Sequence, residues 1–286
     1  MRAEKARNAS AKISVMCRVL KVSRSGYYDW LKRVTGPPYG RAAQDQALLA
    51  EIRALHAKFS FYGAPRIHRE LIRGQHRAGR HRVARLMRLN RIRAVRGKIK
   101  SRPRSAPPKR RVEVVDLVKR RFHTTQPNRL WFTDLTMIRT GQGMLRAAVV
   151  LDSFNREVIS WAVSTFETPT TAMTALREAI RRRRPPPGCI IHSDRGYQFT
   201  SREWLDLAAD NQLLPSIGER KCPQDNAVME SWFASLKNEA IYPNGQPATH
   251  GHARLALLRY IHLYNTRRLH STLGYLSPTE FATINQ

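Results

Sequence analysis

The sequence predicts a mixed α/β sheet with helices on its faces, preceded by an all-helical and strongly basic region, and three observations predict it. Cationic residues crowd the front: residues 1–122 hold 33 Lys and Arg against 7 Asp and Glu, while 123–286 hold 18 against 14. Apolar residues in the front part recur at helical spacing, whereas after residue 122 strand patterns come first and then alternate with helical ones. A Pro-rich cationic stretch separates the two. The expected organisation is a helical, helix-turn-helix-like region over 1–96, a basic linker over 97–122 and an α/β region over 123–286.

Ile13 to Leu20 is a short helical pattern, and Val22-Ser23-Arg24-Ser25-Gly26-Tyr27-Tyr28 follows it, reading as helix, tight turn, helix. Ser23 can cap the second helix by accepting a backbone N–H from its first turn. Arg24, in that turn, is a candidate nucleic-acid contact; the alternative is a small helical hairpin with a basic face. A second pair of helices spans Ala64 to Arg73 and Arg80 to Leu89. In the latter, Val83, Leu86 and Met87 keep helical spacing and leave Arg82, Arg85 and Arg88 on another face, where a stripe of arginines suits phosphates. His68, His76 and His81 have no cysteine pair near them and read as surface or helix-end residues rather than zinc ligands. Gly97 to Arg111 carries seven cations and three prolines in fifteen residues. It reads as an extended linker, in which Lys109, Arg110 and Arg111 either track a DNA backbone or are merely solvated.

Strands are expected at 130–138, 144–152 and 157–166, with turns at Gly141-Gln142-Gly143 and at Ser153-Phe154-Asn155-Arg156. A helix near 169–184, a strand near 188–193 and a helix near 200–212 follow. Arg181 to Arg184 stand before three prolines, as cations at a helix C-terminus do. A further helix carries Glu230 and runs on through Lys237, and the last spans about Thr249 to Arg267.

A chain of 286 residues with 42% hydrophobic content can bury one large or a few small cores. No apolar stretch approaches the ~20 residues that a bilayer span needs, and no signal peptide is evident, so the expected location is cytoplasmic, at the nucleoid through DNA. Cys17, Cys189 and Cys222 are too few and too scattered for a disulfide framework or a zinc finger. The net charge of +30, concentrated at the front, calls for a polyanionic partner, and DNA suits it better than a membrane because no Leu-rich or aromatic interfacial helix accompanies the cations.

Three acids stand in patterns that suit metal-dependent chemistry on nucleic acid. Asp134 lies within the apolar strand run Leu130 to Ile138, where a carboxylate costs several kcal/mol unless a cation or other partner compensates it. Asp194 ends the run Cys189-Ile190-Ile191 at the carboxyl end of a strand, where open α/β sheets place ligands. Glu230 follows on a helix with 35 residues between it and Asp194, and Lys237, two turns further along the same face, is either a phosphate contact or a surface lysine. Mg²⁺ and Mn²⁺ prefer hard oxygen donors, and two such ions stabilise the attacking and leaving oxygens of an in-line phosphodiester displacement. Asp152, at the end of the second strand, is the rival carboxylate and reads as a turn residue. Tyr242, Tyr260 and Tyr264 raise the question of a tyrosine recombinase, a mechanism that would have no use for three acids.

These residues resemble the catalytic, second-reading-frame subunit (OrfB) of bacterial insertion-sequence transposases of the IS-three family, which are similar to retroviral integrases. The resemblance rests on Tyr62-Gly63-Ala64-Pro65-Arg66-Ile67-His68 and Arg82 to Met87 in the helical region. In the core it rests on Trp131-x-Thr133-Asp134-Leu135-Thr136, His192-Ser193-Asp194-Arg195-Gly196-x-Gln198-Phe199 and Asp225-Asn226-Ala227-x-x-Glu230-Ser231-Trp232-Phe233. Tyr264-Asn265, His270-Ser271, Leu273-Gly274-Tyr275 and Ser277-Pro278 complete it. It implies a ribonuclease-H-like core in which Asp134, Asp194 and Glu230 hold two Mg²⁺ or Mn²⁺ ions, and it favours Lys237 as a DNA contact. It also implies cleavage at element ends and transfer of the freed 3′-hydroxyl into DNA by a homo-oligomer that acts on terminal repeats and target. An upstream helix-turn-helix protein (OrfA) or fusion is a further implied partner, and no heptad stretch of that kind is present in this chain. Two other readings stay open: a DNA-binding protein with an inert core, and a nuclease that hydrolyses without joining.

Overall fold

In the computed structural model, which describes residues 12–36, 40–97, 114–166, 168–218 and 223–285, the chain divides into two units, Met1–Arg93 and Ala94–Gln286. The first is helical throughout its described elements. α1 (Ile13–Val19) and α2 (Arg24–Thr35) meet at a turn in which Lys21 takes φ 52°, and the Ser23 hydroxyl accepts the Gly26 N–H at 2.9 Å, the predicted cap. α3 (Arg41–Lys58) is an element the sequence reading passed over. It begins at Gly40 with no side-chain cap, and much of its apolar content is alanine, so neither a start signal nor a strong stripe marks it. Its Leu48 and Ile52 are buried, as are Ile67 and Leu71 of α4 (Ala64–Arg73) and Val83, Leu86 and Met87 of α5 (Arg80–Leu89). Tyr62, fully buried, stacks on Phe59 with ring centroids 4.9 Å apart and closes the turn between α3 and α4.

The second unit is built on a five-stranded sheet of order β3-β2-β1-β4-β5. β1 (Leu130–Thr140), β2 (Gly143–Asp152) and β3 (Val158–Ser164) form an antiparallel meander, and β4 (Ile190–Ser193) and β5 (Leu214–Ile217) add in parallel beside β1. α6 (Thr170–Arg183) and α7 (Arg202–Asp210) cross over between the later strands, as parallel neighbours require, and cover one face with Trp131, Val150, Leu176 and Trp204 in the core. α8 (Ala227–Leu236) and α9 (His250–Thr266) cover the other with Phe132, Val149, Trp232 and Tyr260, and α10 (Pro278–Ile284) closes the chain behind a capping box of Ser277 and Glu280. The first five residues of β1 are buried on both faces, so they read as a continuous apolar run with a carboxylate set in it.

Both predicted hairpin turns are present. Gly143 closes the first with φ 109°, and in the second Asp152 accepts the Phe154 N–H at 3.0 Å and the Asn128 N–H at 2.9 Å. Burial nevertheless pushes the Asp152 carboxyl up, against the pull of those two donors. Residues 114–122, assigned to the linker in the sequence reading, lie against β5: the Ile217 N–H donates to the Val115 carbonyl at 3.3 Å and Val118 is buried in the core. Arg181 and Arg182 pair with Glu178 at the end of α6, and Arg183 with Glu157. Among the described residues, no helix is long and apolar enough to cross a membrane.

Candidate active site

The first two acids follow the paired residues of two parallel strands. Leu130, Trp131 and Phe132 of β1 stand opposite Ile190, Ile191 and His192 of β4, each partner 60 positions on. The pairing ends two residues short of Asp134 and Asp194, and at the same offset the two acids would stand level. Along β1 the even-numbered Leu130, Phe132 and Ile138 belong to the core beneath α8 and α9, and Phe132 meets the His192 ring edge-on at 5.8 Å. Side chains alternate along a strand, so Asp134 shares that face, and Asp194 continues it past the end of β4. Asp134 is 3% exposed, and its Oδ1 accepts the Leu135 N–H at 2.7 Å.

Glu230 comes to the same face on α8. Met229, Trp232, Phe233 and Leu236 seat the helix on the sheet and leave Glu230, in the first turn, partly exposed. Two bonds hold the start of this helix to the acid-bearing strands. Asn226, its N-cap, donates from Nδ2 to the Thr133 carbonyl at 3.4 Å, and the His192 Nε2 meets the Asp225 carbonyl at 3.0 Å. His192 is fully buried, and that burial holds its pKa below the usual value, outweighing Asp116 at 3.8 Å. Arg120 donates to Asp225 at 2.9 Å, and Arg195 to the Gly218 carbonyl at 2.8 Å.

The loop after Asp194 is tight at Gly196. Gly196 donates its N–H to Asp194 Oδ1 at 2.9 Å, and a Cβ at this position would stand 2.9 Å from that oxygen and 2.4 Å from Gln198 Nε2. Gly196→Ala is expected to displace the Asp194 carboxylate and lower turnover about 100-fold, the order of loss that a 1 Å misplacement of a reacting group produces. Turnover kinetics beside a thermal melt check this: an unaltered rate would show that Gln198 gives way and leaves the Asp194 carboxylate in place.

Beyond Leu236 the helix widens into a π turn, Lys237–Ile241, which begins with the half-buried Lys237 two turns from Glu230. Such turns occur preferentially at functional sites. Among the described residues no three His, Cys, Asp or Glu side chains are grouped so that they could hold a metal ion. Mg²⁺ is commonly held by one or two carboxylates, with water and substrate phosphate completing the shell. Asn226 Oδ1, buried beside Thr133 with no hydrogen-bond partner among the described residues, adds a hard oxygen acceptor next to Asp134.

The remaining candidates are dispersed. Arg24 is exposed in the first turn of α2, and Arg88 is exposed on α5. Arg82 and Arg85 donate to Asp45 of α3 at 2.6 and 2.5 Å, which holds the Asp45 carboxyl below its usual range. Lys109, Arg110 and Arg111, like Cys222, lie outside the described residues. The three tyrosines are engaged in packing: Tyr242 Oη accepts the Arg139 N–H at 2.9 Å, Tyr260 donates to Glu239 at 3.0 Å, and Tyr264 packs edge-on against Trp232. Sequence reasoning missed Asn226, Ser216 and Arg120 as parts of the site, because each acts through a residue far away in the chain. The shallow depressions beside Arg184 and Asp210 and between Trp161, Arg177 and Arg254 contain none of the three acids.

Residues 124–223 and 211–278 each match a family described as an integrase core domain, and residues 43–100 match one described as an HTH-like domain. The chain is 33% identical over 282 residues to the transposase InsF for insertion sequence IS3A of Escherichia coli (strain K12), a match covering 97% of this chain and 96% of that one. It is 34% identical over 268 residues to the insertion element IS600 uncharacterized 31 kDa protein of Shigella sonnei, covering 93% and 97%. Among solved structures, the HTLV-2 integrase catalytic core domain in complex with magnesium aligns at 18% identity and a TM-score of 0.43, over 54% of this chain and 96% of that one. The integrase-core fold, a ribonuclease-H-like mixed sheet flanked by helices, is thus the one the sequence motifs implied.

Proposed function

Since the chain belongs to the IS3 family of insertion-sequence transposases, we propose that Asp134, Asp194 and Glu230 bind divalent cations and that the protein cleaves the ends of its element and transfers the freed 3′-hydroxyl strand into DNA. The observation that carries this reading is the β1–β4 register, which ends two residues short of Asp134 and Asp194 and would set them level if carried on, with the start of the Glu230 helix bonded to both strands through Asp225 and Asn226. The donor set is hard oxygen throughout, and the buried acceptor of Asn226 extends it. Two Mg²⁺ or Mn²⁺ ions bound there would stabilise the attacking and leaving oxygens and make a water or a 3′-hydroxyl nucleophilic near neutral pH. The chain's own part is to fix the acids on rigid elements: β1 holds Asp134, the Gly196 N–H orients Asp194, and α8 presents Glu230. Lys237, at the end of that helix, is proposed to receive a DNA phosphate.

The cations of the front region, with Arg24, Arg82, Arg85, Arg88, Lys109, Arg110 and Arg111 among them, are proposed to bind the DNA backbone of terminal repeats and target. Arg82 and Arg85 would do so from an arrangement that Asp45 has already ordered. Joining two ends calls for a homo-oligomer, and an upstream helix-turn-helix protein is the proposed further partner. If six to ten phosphates are neutralised, affinity for DNA falls about 10³- to 10⁵-fold between 50 and 200 mM salt. Fluorescence anisotropy titrations at several salt concentrations measure the slope, and a flat response would exclude phosphate contacts as the source of binding.

The direct test is strand cleavage and joining on labelled DNA carrying the element ends, with Mg²⁺ or Mn²⁺, in the presence and absence of the upstream partner. Joined products are expected. Products cut but never joined would make the protein a nuclease, and binding without any product would make it a regulator of the ends.

A further inference from the structure

We propose that His192 is a positioning residue that fixes the start of α8, and with it Glu230, against the strand end that bears Asp194. The proposal rests on the metal-binding reading above and adds to it the device that sets the distance between two of the acids. His192 stands two residues before Asp194 on β4, and Thr133 one residue before Asp134 on β1. The start of the helix is bonded once to each acid-bearing strand: His192 donates to the Asp225 carbonyl at 3.0 Å, and the Asn226 amide donates to the Thr133 carbonyl at 3.4 Å. Asp225 and Asn226 are consecutive residues, and Glu230 lies one turn further on.

The bonds through His192 form a directed chain. A carbonyl oxygen only accepts, so Nε2 carries the hydrogen that meets Asp225, and Nδ1 is left to accept from the Ser216 hydroxyl at 2.9 Å. That hydroxyl accepts in turn from the Leu117 N–H at 2.9 Å. His192 and Ser216 are fully buried, and the Phe132 ring packs on the imidazole edge-on. Burial makes each link costly to leave unmade, so the ring has one orientation and the Asp225 carbonyl one position. Two further contacts hold the same residue: Arg120 donates to its carboxylate at 2.9 Å, and Gly218 packs so close that a Cβ there would stand 2.8 Å from the Asp225 Cβ.

A histidine that merely fills the core would tolerate any replacement that fits, whereas a positioning residue must keep its bond to Asp225. Asparagine places its oxygen where Nδ1 stands and reaches no further; glutamine carries an amide N–H to the place of Nε2. Both lose the ring, so thermal melts of the two full-length variants should fall by similar amounts. Titration calorimetry with Mn²⁺ alone, without DNA, should then show His192→Asn weakening affinity about tenfold, the lower end for loss of a partner behind a metal ligand, and His192→Gln restoring it to within about threefold. In strand cleavage the His192→Asn loss should fall on kcat rather than on KM for DNA. Equal weakening in both variants, or none in either, would overturn the proposal. Asp194→Asn separates the two layers. If it abolishes Mn²⁺ binding while His192→Asn binds normally, the positioning role alone is wrong; if it too binds normally, the metal reading fails and the positioning role falls with it.

Discussion

Arg268→Ala is expected to lower the stability of the catalytic unit by about 3–5 kcal/mol, because it strips one partner from a buried ion pair. Arg268 is 4% exposed and grips Glu239 with two bonds, at 2.7 and 2.6 Å. Tyr260 donates to the same carboxylate at 3.0 Å, and the guanidinium reaches Ser235 at 3.3 Å and lies over the Tyr264 ring at 5.7 Å. The Glu239 carboxylate holds the guanidinium in its charged form in spite of burial, and burial beside that carboxylate drives the Tyr260 hydroxyl well above the usual phenol range. The pair ties the π turn behind α8 to the chain just past α9. With Arg268 gone, the buried Glu239 side chain keeps the Tyr260 hydroxyl but loses its cation and the donors that came with it. Arg268→Lys should recover only part of the loss, since an ammonium cannot match both oxygens of the carboxylate. The double variant Glu239→Gln with Arg268→Met should be more stable than Arg268→Ala, because it leaves no buried charge behind. Urea denaturation of the full chain, followed by tryptophan fluorescence, measures each difference. A loss under about 1 kcal/mol for Arg268→Ala would show the pair to be effectively solvated.

The same residues mark where the sequence was legible and where it was not. The strands around Asp134 and Asp194 were readable because their apolar runs end at turn chemistry, and the Glu230 helix because it begins at Asp225-Asn226 and continues at helical spacing. α3 was missed because its largely alanine apolar content draws no strong stripe, and β5 because it is only four residues long and includes Pro215. The pairing of β1 with β4 could not be read at all: a hairpin turn fixes register locally, whereas a parallel pair is set by a crossover through α6 and by what packs on both faces. Long-range hydrogen bonds were equally out of reach. His192 meets Asp225 33 positions away, Asn226 meets Thr133 across 93, and Asp45 engages Arg82 and Arg85 across 37 and 40. Each of these residues taken alone has an ordinary reading as a core histidine, a helix cap or a surface acid. Their partners give them a place beside the acids, and only tertiary structure supplies the partners.

Asp134→Asn is expected to reduce strand cleavage and joining at least ~10³-fold while leaving the fold and DNA binding in place. Asparagine has the shape of aspartate, so at a position 3% exposed it demands no repacking, and its oxygen can still accept the Leu135 N–H. What it removes is the negative charge. An amide oxygen is a far weaker partner for a hard divalent cation than a carboxylate, and the loss of about 4 kcal/mol of transition-state stabilisation corresponds to that factor in rate. DNA affinity should stay within about twofold, since the cations that carry it are concentrated in residues 1–122 and are untouched. The matched control is Asp152→Asn. Asp152 is as deeply buried as Asp134 and ends the neighbouring strand, and its oxygens accept the Asn128 and Phe154 N–H groups. Both changes neutralise a buried acid in adjacent strands of one sheet, so damage to the sheet would appear in each, and only a role in the chemistry can separate them. Activity lost with Asp134→Asn and kept with Asp152→Asn places the reaction at the β1–β4 strand ends; equal losses would assign the effect to the sheet, and more than about a tenth of the activity surviving in Asp134→Asn would remove that residue from the site.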